Sequence, residues 1–219
     1  MVYYNYMMKP ALPIIARISS FVLKKVEGQE FIPASGGFIF AANHTNHLDP
    51  AALFAASYPR TLREIHFLAK YDLFLWKVLG DWGAKKLHAI RINPEHKEKS
   101  LDQALEFLNW GNIIGIYPEG KCNTESQLIQ GRSGTALLAR WTGLPVIPVG
   151  ISGGPPARRG LGLAYDILLR FPRSVTVRFG KPLVFEKPDK KYLPQEMLDS
   201  TTRDIMKAVG DLCGKPYLF

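Results

Sequence analysis

Cysteine is scarce in this chain. There are two, Cys122 and Cys213, in 219 residues. Two thiols make no disulfide framework, and so low a count suits a reducing compartment. Long apolar runs are missing as well. No stretch reaches the roughly 18 uninterrupted apolar residues that read as a membrane span. There is no internal repeat and no low-complexity tract, so neither a solenoid nor a biased disordered segment is indicated. Zinc-finger spacing, a helix-turn-helix pattern and an RNA-binding signature are all lacking. That disfavours nucleic acid as a partner, although the net charge is +9.

What is present describes one domain with a substantial core. The composition is 47% hydrophobic and 21% charged, ordinary for a globular protein. The basic excess is uneven, with nine Lys or Arg against three acids between residues 151 and 191. Such a stretch attracts anionic lipid or phosphorylated substrates, or it is simply a solvated basic face.

The first 25 residues are set apart from the rest. Tyr3, Tyr4, Tyr6, Leu12, Ile14, Ile15, Ile18, Phe21 and Val22 are interrupted by Lys9, Arg17, Lys24 and Lys25. No small-residue cleavage site follows a clean apolar core, so the segment does not read as a signal peptide. Aromatic and apolar residues with basic interruptions fit a helix lying in a membrane interface, or one packed on the core. The expected organisation is residues 1–25 as an amphipathic membrane-associating segment and 26–219 as the main domain.

From there, short apolar runs alternate with helical periodicity. Strands are expected at Phe38–Ala42, Ile65–Ala69, Leu87–Ile92, Asn112–Tyr117, Pro145–Val149 and Val175–Phe179. Helices are expected at Pro50–Ser57, Ser100–Trp110, Gly134–Trp141 and about Pro194–Leu212. Ser100 and Gln103 form a capping-box pattern, and Gly111 and Gly143 suit helix ends. Gly153–Gly162, with its Pro-Pro and Arg-Arg, is the expected flexible loop. The fold class is α/β, with a mostly parallel central sheet flanked by helices.

The segment Asn43-His44-Thr45-Asn46-His47-Leu48-Asp49-Pro50 follows the first of these strands. A neutral imidazole oriented by a carboxylate can take a proton from a hydroxyl. Residues five apart on a continuous helix face different ways, so the chain must turn between His44 and Asp49 for them to meet. Asp49 before Pro50 also reads as a helix N-cap. Arg91 ends one expected strand and Glu119 follows another. In open α/β sheets, ligands bind beyond the carboxyl ends of strands. If the strands are parallel neighbours, base, cation and acid converge on one cleft fit for a phosphorylated alcohol.

These residues resemble the lysophosphatidate and glycerol-phosphate acyltransferase family. Its four blocks are matched in order by Asn43-His44 with Asp49, by Leu87-His88-Ala89-Ile90-Arg91, by Tyr117-Pro118-Glu119-Gly120, and by Leu144-Pro145-Val146-Ile147-Pro148-Val149. Arg132-Ser133-Gly134 is similar to a basic-glycine element between the last two. The resemblance covers about residues 26–185. It implies a glycerol-phosphate-acyltransferase-like fold and transfer of a fatty acyl group from acyl-CoA or acyl carrier protein, with no cofactor and no metal. His44 would be the general base and Asp49 its orienting acid, in a single-step transfer. Arg91, Pro118, Glu119, Gly120, Lys121 and Arg132 would bind the acceptor. The implied acceptor is a lysophospholipid, first 1-acyl-glycerol-3-phosphate, giving phosphatidate. The implied location is peripheral or monotopic on the cytoplasmic face of a membrane, against an anionic surface.

One departure stands out. The family commonly has Thr-Arg-Ser after Pro-Glu-Gly, and here the residues are Lys121-Cys122-Asn123. A lysine point charge does not replace a bidentate guanidinium. This leaves open a lyso-aminolipid, a glycolipid or glycerol-3-phosphate as acceptor. Cys122 is either a reactive thiol, if exposed beside Lys121, or a packed one. Two other classes are weighed: a metal-dependent hydrolase using His44, His47 and Asp49, and a non-enzymatic basic module. Otherwise His47 reads as a solvent-facing loop residue.

Overall fold

The computed structural model describes residues 9–70, 89–92, 95–155, 169–188 and 192–219. Its strands are β1 (Leu23–Glu27), β2 (Phe38–Ala42), β3 (Ile65–Lys70), β4 (Ala89–Ile92), β5 (Ile113–Ile116), β6 (Val146–Gly153) and β7 (Val175–Phe179). Its α-helices are α1 (Leu12–Ser19), α2 (Asp49–Thr61), α3 (Lys97–Asn109), α4 (Gly134–Thr142) and α5 (Gln195–Cys213). The seven strands form one sheet in the order β1-β7-β6-β2-β5-β3-β4. The run from β6 to β4 is parallel throughout. β7 lies antiparallel to β6, and β1 is parallel to β7. The sheet is therefore mostly parallel, as expected, with an opposed pair at one edge.

The strand sequences explain where the core sits. β2 reads Phe-Ile-Phe-Ala-Ala, and all five residues are buried. A continuous apolar run with no alternation belongs in a sheet covered on both faces. Phe38, Phe40 and Ala42 pack with Leu12 and Ala16 of α1 and Ala52, Leu53 and Ala56 of α2. Ile39 and Ala41 point the other way, toward Ala104 and Leu108 of α3, Leu138 of α4, and Ile205 and Met206 of α5. Each fully buried Phe or Ile contributes about 1.5–3 kcal/mol. β7 alternates buried and partly exposed residues.

Several boundaries differ from expectation. α3 begins at Lys97, so Ser100 lies inside it, buried, rather than at a cap. Lys97, Glu98 and Lys99 are good helix formers, and they extend the helix by almost one turn ahead of the apolar face. α2 begins at Asp49 with Leu48 at the cap position and no side-chain cap bond. The Asp49 carboxylate turns backward instead, as described below. Leu87 and His88 lie outside the described residues, as does 156–162 of the loop expected to be flexible. At the N-terminus the helical part ends at Val22, and β1 crosses the expected boundary at residue 25 to pair with β7. α1 is half-docked. Leu12 and Ala16 are buried, while Ile14, Ile15, Ile18 and Phe21 are exposed.

Candidate active site

β2 sits between β6 and β5, so the loops after β2 and β5 emerge side by side at the carboxyl end of the sheet. The loop after β2 carries His44, and its turn closes with the Asp49 amide donating to the Asn46 carbonyl at 3.1 Å. This turn brings together two side chains five residues apart. His44 Nδ1 lies 2.9 Å from Asp49 Oδ2. The same oxygen accepts the backbone amides of Thr45, at 2.6 Å, and Asn46, at 2.7 Å. Asp49 is thus buried but well supplied with donors, and its position is set by the backbone on either side of the histidine.

Further bonds hold the histidine loop to its surroundings. Asn43 bonds both backbone groups of Ile151, donating at 2.9 Å and accepting at 2.7 Å. Its amide thereby continues the β2–β6 ladder one residue beyond the strand. Asn46 donates to the Pro155 carbonyl at 2.6 Å. The His44 amide donates to Glu119 Oε1 at 3.1 Å, and the His44 carbonyl accepts the Asn123 amide at 2.6 Å. The loops after β2 and β5 are in this way fastened to each other at the histidine itself.

Tyr117 provides the wall. Its ring stacks on His44 with centroids 4.2 Å apart and planes at 22°. Phe67 of β3 stacks behind it at 6.0 Å. Gly115 makes room for that support: a Cβ there would meet the Phe67 ring at 2.6 Å. The Tyr117 hydroxyl is buried, with no partner among the described residues. Burial, and then the charges of Asp49 and Cys122, hold its pKa well above the usual value, so it stays a neutral phenol.

The histidine itself is strongly perturbed. Burial works against its charged form, but the hydrogen bonds to Asp49 and Cys122 outweigh that and push its pKa up to about 9. The Cys122 contact is on the far nitrogen, with Sγ 3.3 Å from Nε2. His47 Nδ1 lies 3.9 Å from the same sulfur. His47 is exposed, as expected for a loop residue, but it borders the site rather than facing open solvent alone.

The residues expected to hold the acceptor are not all alike. Pro118 and Glu119 are buried. Both oxygens of Glu119 are engaged within the protein: its second oxygen accepts Asn123 Nδ2 at 2.5 Å and the Ile129 amide at 3.3 Å. It fastens the two loops together. Lys121 and Arg132 are exposed. Gly120 has φ +67°, and a Cβ there would come 2.6 Å from Arg132 Nε, so glycine lets that guanidinium lie across the loop. Arg91 is on the edge strand, level with Ala69 of β3. Two strands, β5 and β3, stand between β2 and β4. Arg91 is therefore about 14 Å sideways from the histidine strand, not a neighbour of it. It remains at the carboxyl end of the sheet.

A family model described as Acyltransferase matches residues 24–152. The chain belongs to that family. The match spans β1 to β6 and contains every residue of the paired loops. A 1-acyl-sn-glycerol-3-phosphate acyltransferase of Bacillus subtilis (strain 168) is 30% identical over 130 residues, 59% of this chain and 62% of that one. The chloroplastic 1-acyl-sn-glycerol-3-phosphate acyltransferase BAT2 of Brassica napus is 24% identical over 140 residues, 62% of this chain and 39% of its own length. The chain thus spans less than two thirds of the curated relatives it matches. The crystal structure of the acyltransferase PlsC from Thermotoga maritima shares the fold. Its TM-score is 0.63 at 22% identity, covering 94% of this chain and 81% of that one.

The donor chemistry does not favour the hydrolase reading. Asp49 Oδ2 is already shared by three N–H groups, and His44 Nδ1 is one of their sources. A metal drawn to His44, His47 and Asp49 would have to displace the bonds that shape the loop. Among the described residues no cluster of three or more His, Cys, Asp and Glu has a metal-binding arrangement.

Tyr117, Asn43, Asn46 and Asn123 are the participants that sequence reasoning gave no role. Tyr117, Asn43 and Asn46 were visible only as neighbours within the matched blocks, and Asn123 only within the departure that follows the third.

Proposed function

We propose that this protein transfers a fatty acyl group from a thioester carrier to a hydroxyl of a lysophospholipid at a membrane surface. The first acceptor is 1-acyl-glycerol-3-phosphate, and the product is phosphatidate. The observation that carries this reading is the Asp49–His44 pair, 2.9 Å apart, beside a loop bearing exposed Lys121 and Arg132. With Nδ1 fixed by the carboxylate, the neutral form of His44 presents Nε2 to a hydroxyl and takes its proton as the oxygen attacks the thioester carbonyl. Lys121 and Arg132 hold the acceptor phosphate, with Arg132 supplying the planar fork. The family resemblance assigns Arg91, at the carboxyl end of the edge strand, to the same ligand. Glu119 acts through the backbone of His44 as a positioning residue. The names of the curated relatives support the choice of acceptor.

The N-terminal segment supports a surface location. Ile14, Ile15, Ile18 and Phe21 are exposed, with Arg17, Lys24 and Lys25 exposed among them. Such a face buries its apolar side in the acyl boundary while its cations meet anionic headgroups. No helix among the described residues is long and apolar enough to cross a membrane. A peripheral or monotopic enzyme on the cytoplasmic face fits these features. The carrier is acyl-CoA or acyl carrier protein, both of which present the same thioester.

The test is an acceptor panel. Purified protein receives one labelled acyl-CoA, then the matching acyl carrier protein, with lysophosphatidate, other lysolipids, a glycolipid and glycerol-3-phosphate. Labelled phosphatidate should form fastest, and His44→Ala should abolish it. Faster acylation of another acceptor would replace lysophosphatidate. No acylation of any acceptor from either carrier would defeat the reading.

A further inference from the structure

The carboxyl-terminal tail lies beyond the family match at 24–152, yet it reaches the loop that carries Lys121 and Arg132. The path begins in β6. Val149 pairs with Ala42, the last residue of β2, so Gly150 is level with the start of the histidine loop. A Cβ on Gly150 would collide with the backbone of Leu212 and Cys213. Glycine there lets the end of α5 press against the sheet at the depth of the site. α5 then stops at Gly214, which has φ +75° and donates its amide to the Gly210 carbonyl at 2.8 Å. A left-handed residue at this position reverses the chain. Gly210 makes room for the reversal, because a Cβ there would meet the Lys215 carbonyl oxygen at 2.6 Å.

The reversed tail is fastened to the loop after β5 at three points. Lys215 Nζ donates to the Asn123 carbonyl at 3.2 Å. The Leu128 amide donates to the Pro216 carbonyl at 3.0 Å, and the Gly131 amide to the Tyr217 hydroxyl at 3.3 Å. The first of these differs in what it holds. Asn123 is buried, and its amide donates to the His44 carbonyl at 2.6 Å. Its side-chain nitrogen donates to Glu119 Oε2 at 2.5 Å. Lys215 takes up its carbonyl, so the residue that ties the two loops at the histidine is gripped from the tail as well. A charged donor makes the stronger kind of hydrogen bond. Asn123 also belongs to Lys121-Cys122-Asn123, where the chain departs from the family's blocks.

We propose that Lys215 is a positioning residue: its ammonium fixes the Asn123 backbone and, through it, the backbone of His44. The role rests on the acyl-transfer reading above and adds to it a part supplied from outside the family match. Lys215 acts through Asn123 and not on the substrate. What it governs is the placement of the imidazole against the attacking hydroxyl, where an error of about 1 Å costs on the order of 10²-fold.

The experiment compares the whole chain as wild type, Lys215→Met and Lys215→Arg, with palmitoyl-CoA and lysophosphatidate. Methionine keeps an unbranched stem and removes the donor. Arginine restores a cation, and a single carbonyl does not need the particular shape of either head. Lys215→Met should lose about 10–100-fold in kcat, while KM for palmitoyl-CoA changes by less than about twofold. Lys215→Arg should recover most of that loss. Thermal melting of both variants should stay within a few degrees of wild type. Hydrogen exchange read by mass spectrometry needs no substrate. In Lys215→Met the peptide bearing Asn123 should exchange at least about tenfold faster, with the α5 peptide unchanged.

A wild-type kcat in Lys215→Met would overturn the positioning role. Equal kcat losses in both variants, with melting lowered alongside, would make the tail a structural prop and overturn it too. Unchanged exchange at Asn123 would sink the fastening whatever the kinetics. Faster exchange at Asn123 in Lys215→Met, with no acylation by wild type, would keep the fastening and remove the transfer reading.

Discussion

Oδ2 of Asp49 accepts Nδ1 of His44 at 2.9 Å while also holding the amides of Thr45 and Asn46. One oxygen thus orients the imidazole and shapes the turn that carries it. Asp49→Asn separates these tasks poorly. Whichever way the amide is placed, it offers fewer acceptor sites than the carboxylate. The wrong imidazole tautomer becomes favoured, and kcat should fall by about 10²–10⁴-fold. A buried amide left without its acceptor should cost about 1–3 kcal/mol. Steady-state kinetics and chemical unfolding of the variant check both. A kcat near wild type would show that Asp49 only shapes the turn.

The raised pKa of His44 makes stability depend on pH with a definite sign. The proton is held more tightly in the folded state, at about 9 against an ordinary 6.5. The added stability is complete below pH 6.5 and is lost as pH rises through 9. Wild type should therefore exceed His44→Gln by its largest margin under mildly acidic conditions. The margin should shrink by about 3 kcal/mol at most on going to alkaline pH. Urea unfolding of the two proteins at a series of pH values measures it. A constant margin would mean that the folded protein does not hold this proton preferentially.

Much of this was legible in the sequence, for reasons that particular residues make clear. Phe38–Ala42 shows itself as a buried strand because five consecutive apolar residues need a sheet covered on both faces. His44 and Asp49 lie within one turn, so their pairing needs only local chain reversal. Arg91 was harder. The order of strands depends on which non-local pairs form, and no local pattern shows that β3 separates β4 from β5. The hydrogen bonds of Glu119 were equally hidden. Its partners, the His44 amide, Asn123 and Ile129, come from different parts of two loops. The Cys122–His44 contact spans 78 residues of sequence, and nothing local announces it.

Glu119 should behave as a fastener. Its two oxygens accept three donors, and Glu119→Gln replaces one of those oxygens with an amide NH₂ that faces a donor. Unfolding free energy should drop by about 1–3 kcal/mol. Displacement of the His44 backbone should lower kcat, while KM for the acceptor changes little, since both carboxylate oxygens are already taken up by protein donors. Kinetics with lysophosphatidate at saturating acyl-CoA test this. A rise in KM with kcat unchanged would restore Glu119 to the acceptor's binding site.

The two faces of α1 should respond in opposite ways. Ile14 is 61% exposed and Ile18 65%, and Phe21 is exposed beside them, whereas Leu12 is only 7% exposed. Replacing Ile14, Ile18 and Phe21 together by Ser removes no core contact, so each change should alter stability by no more than about 0.5 kcal/mol. If this face lies in the acyl boundary, each lost side chain forfeits on the order of 1.5 kcal/mol of transfer energy, or about tenfold in binding. Leu12→Ala should instead destabilise the fold by about 2–5 kcal/mol and leave vesicle affinity of the folded protein nearly intact. Sedimentation with vesicles containing anionic lipid, paired with thermal melting, separates the two effects. Unchanged sedimentation of the triple variant would assign the exposed residues to some purpose other than the membrane.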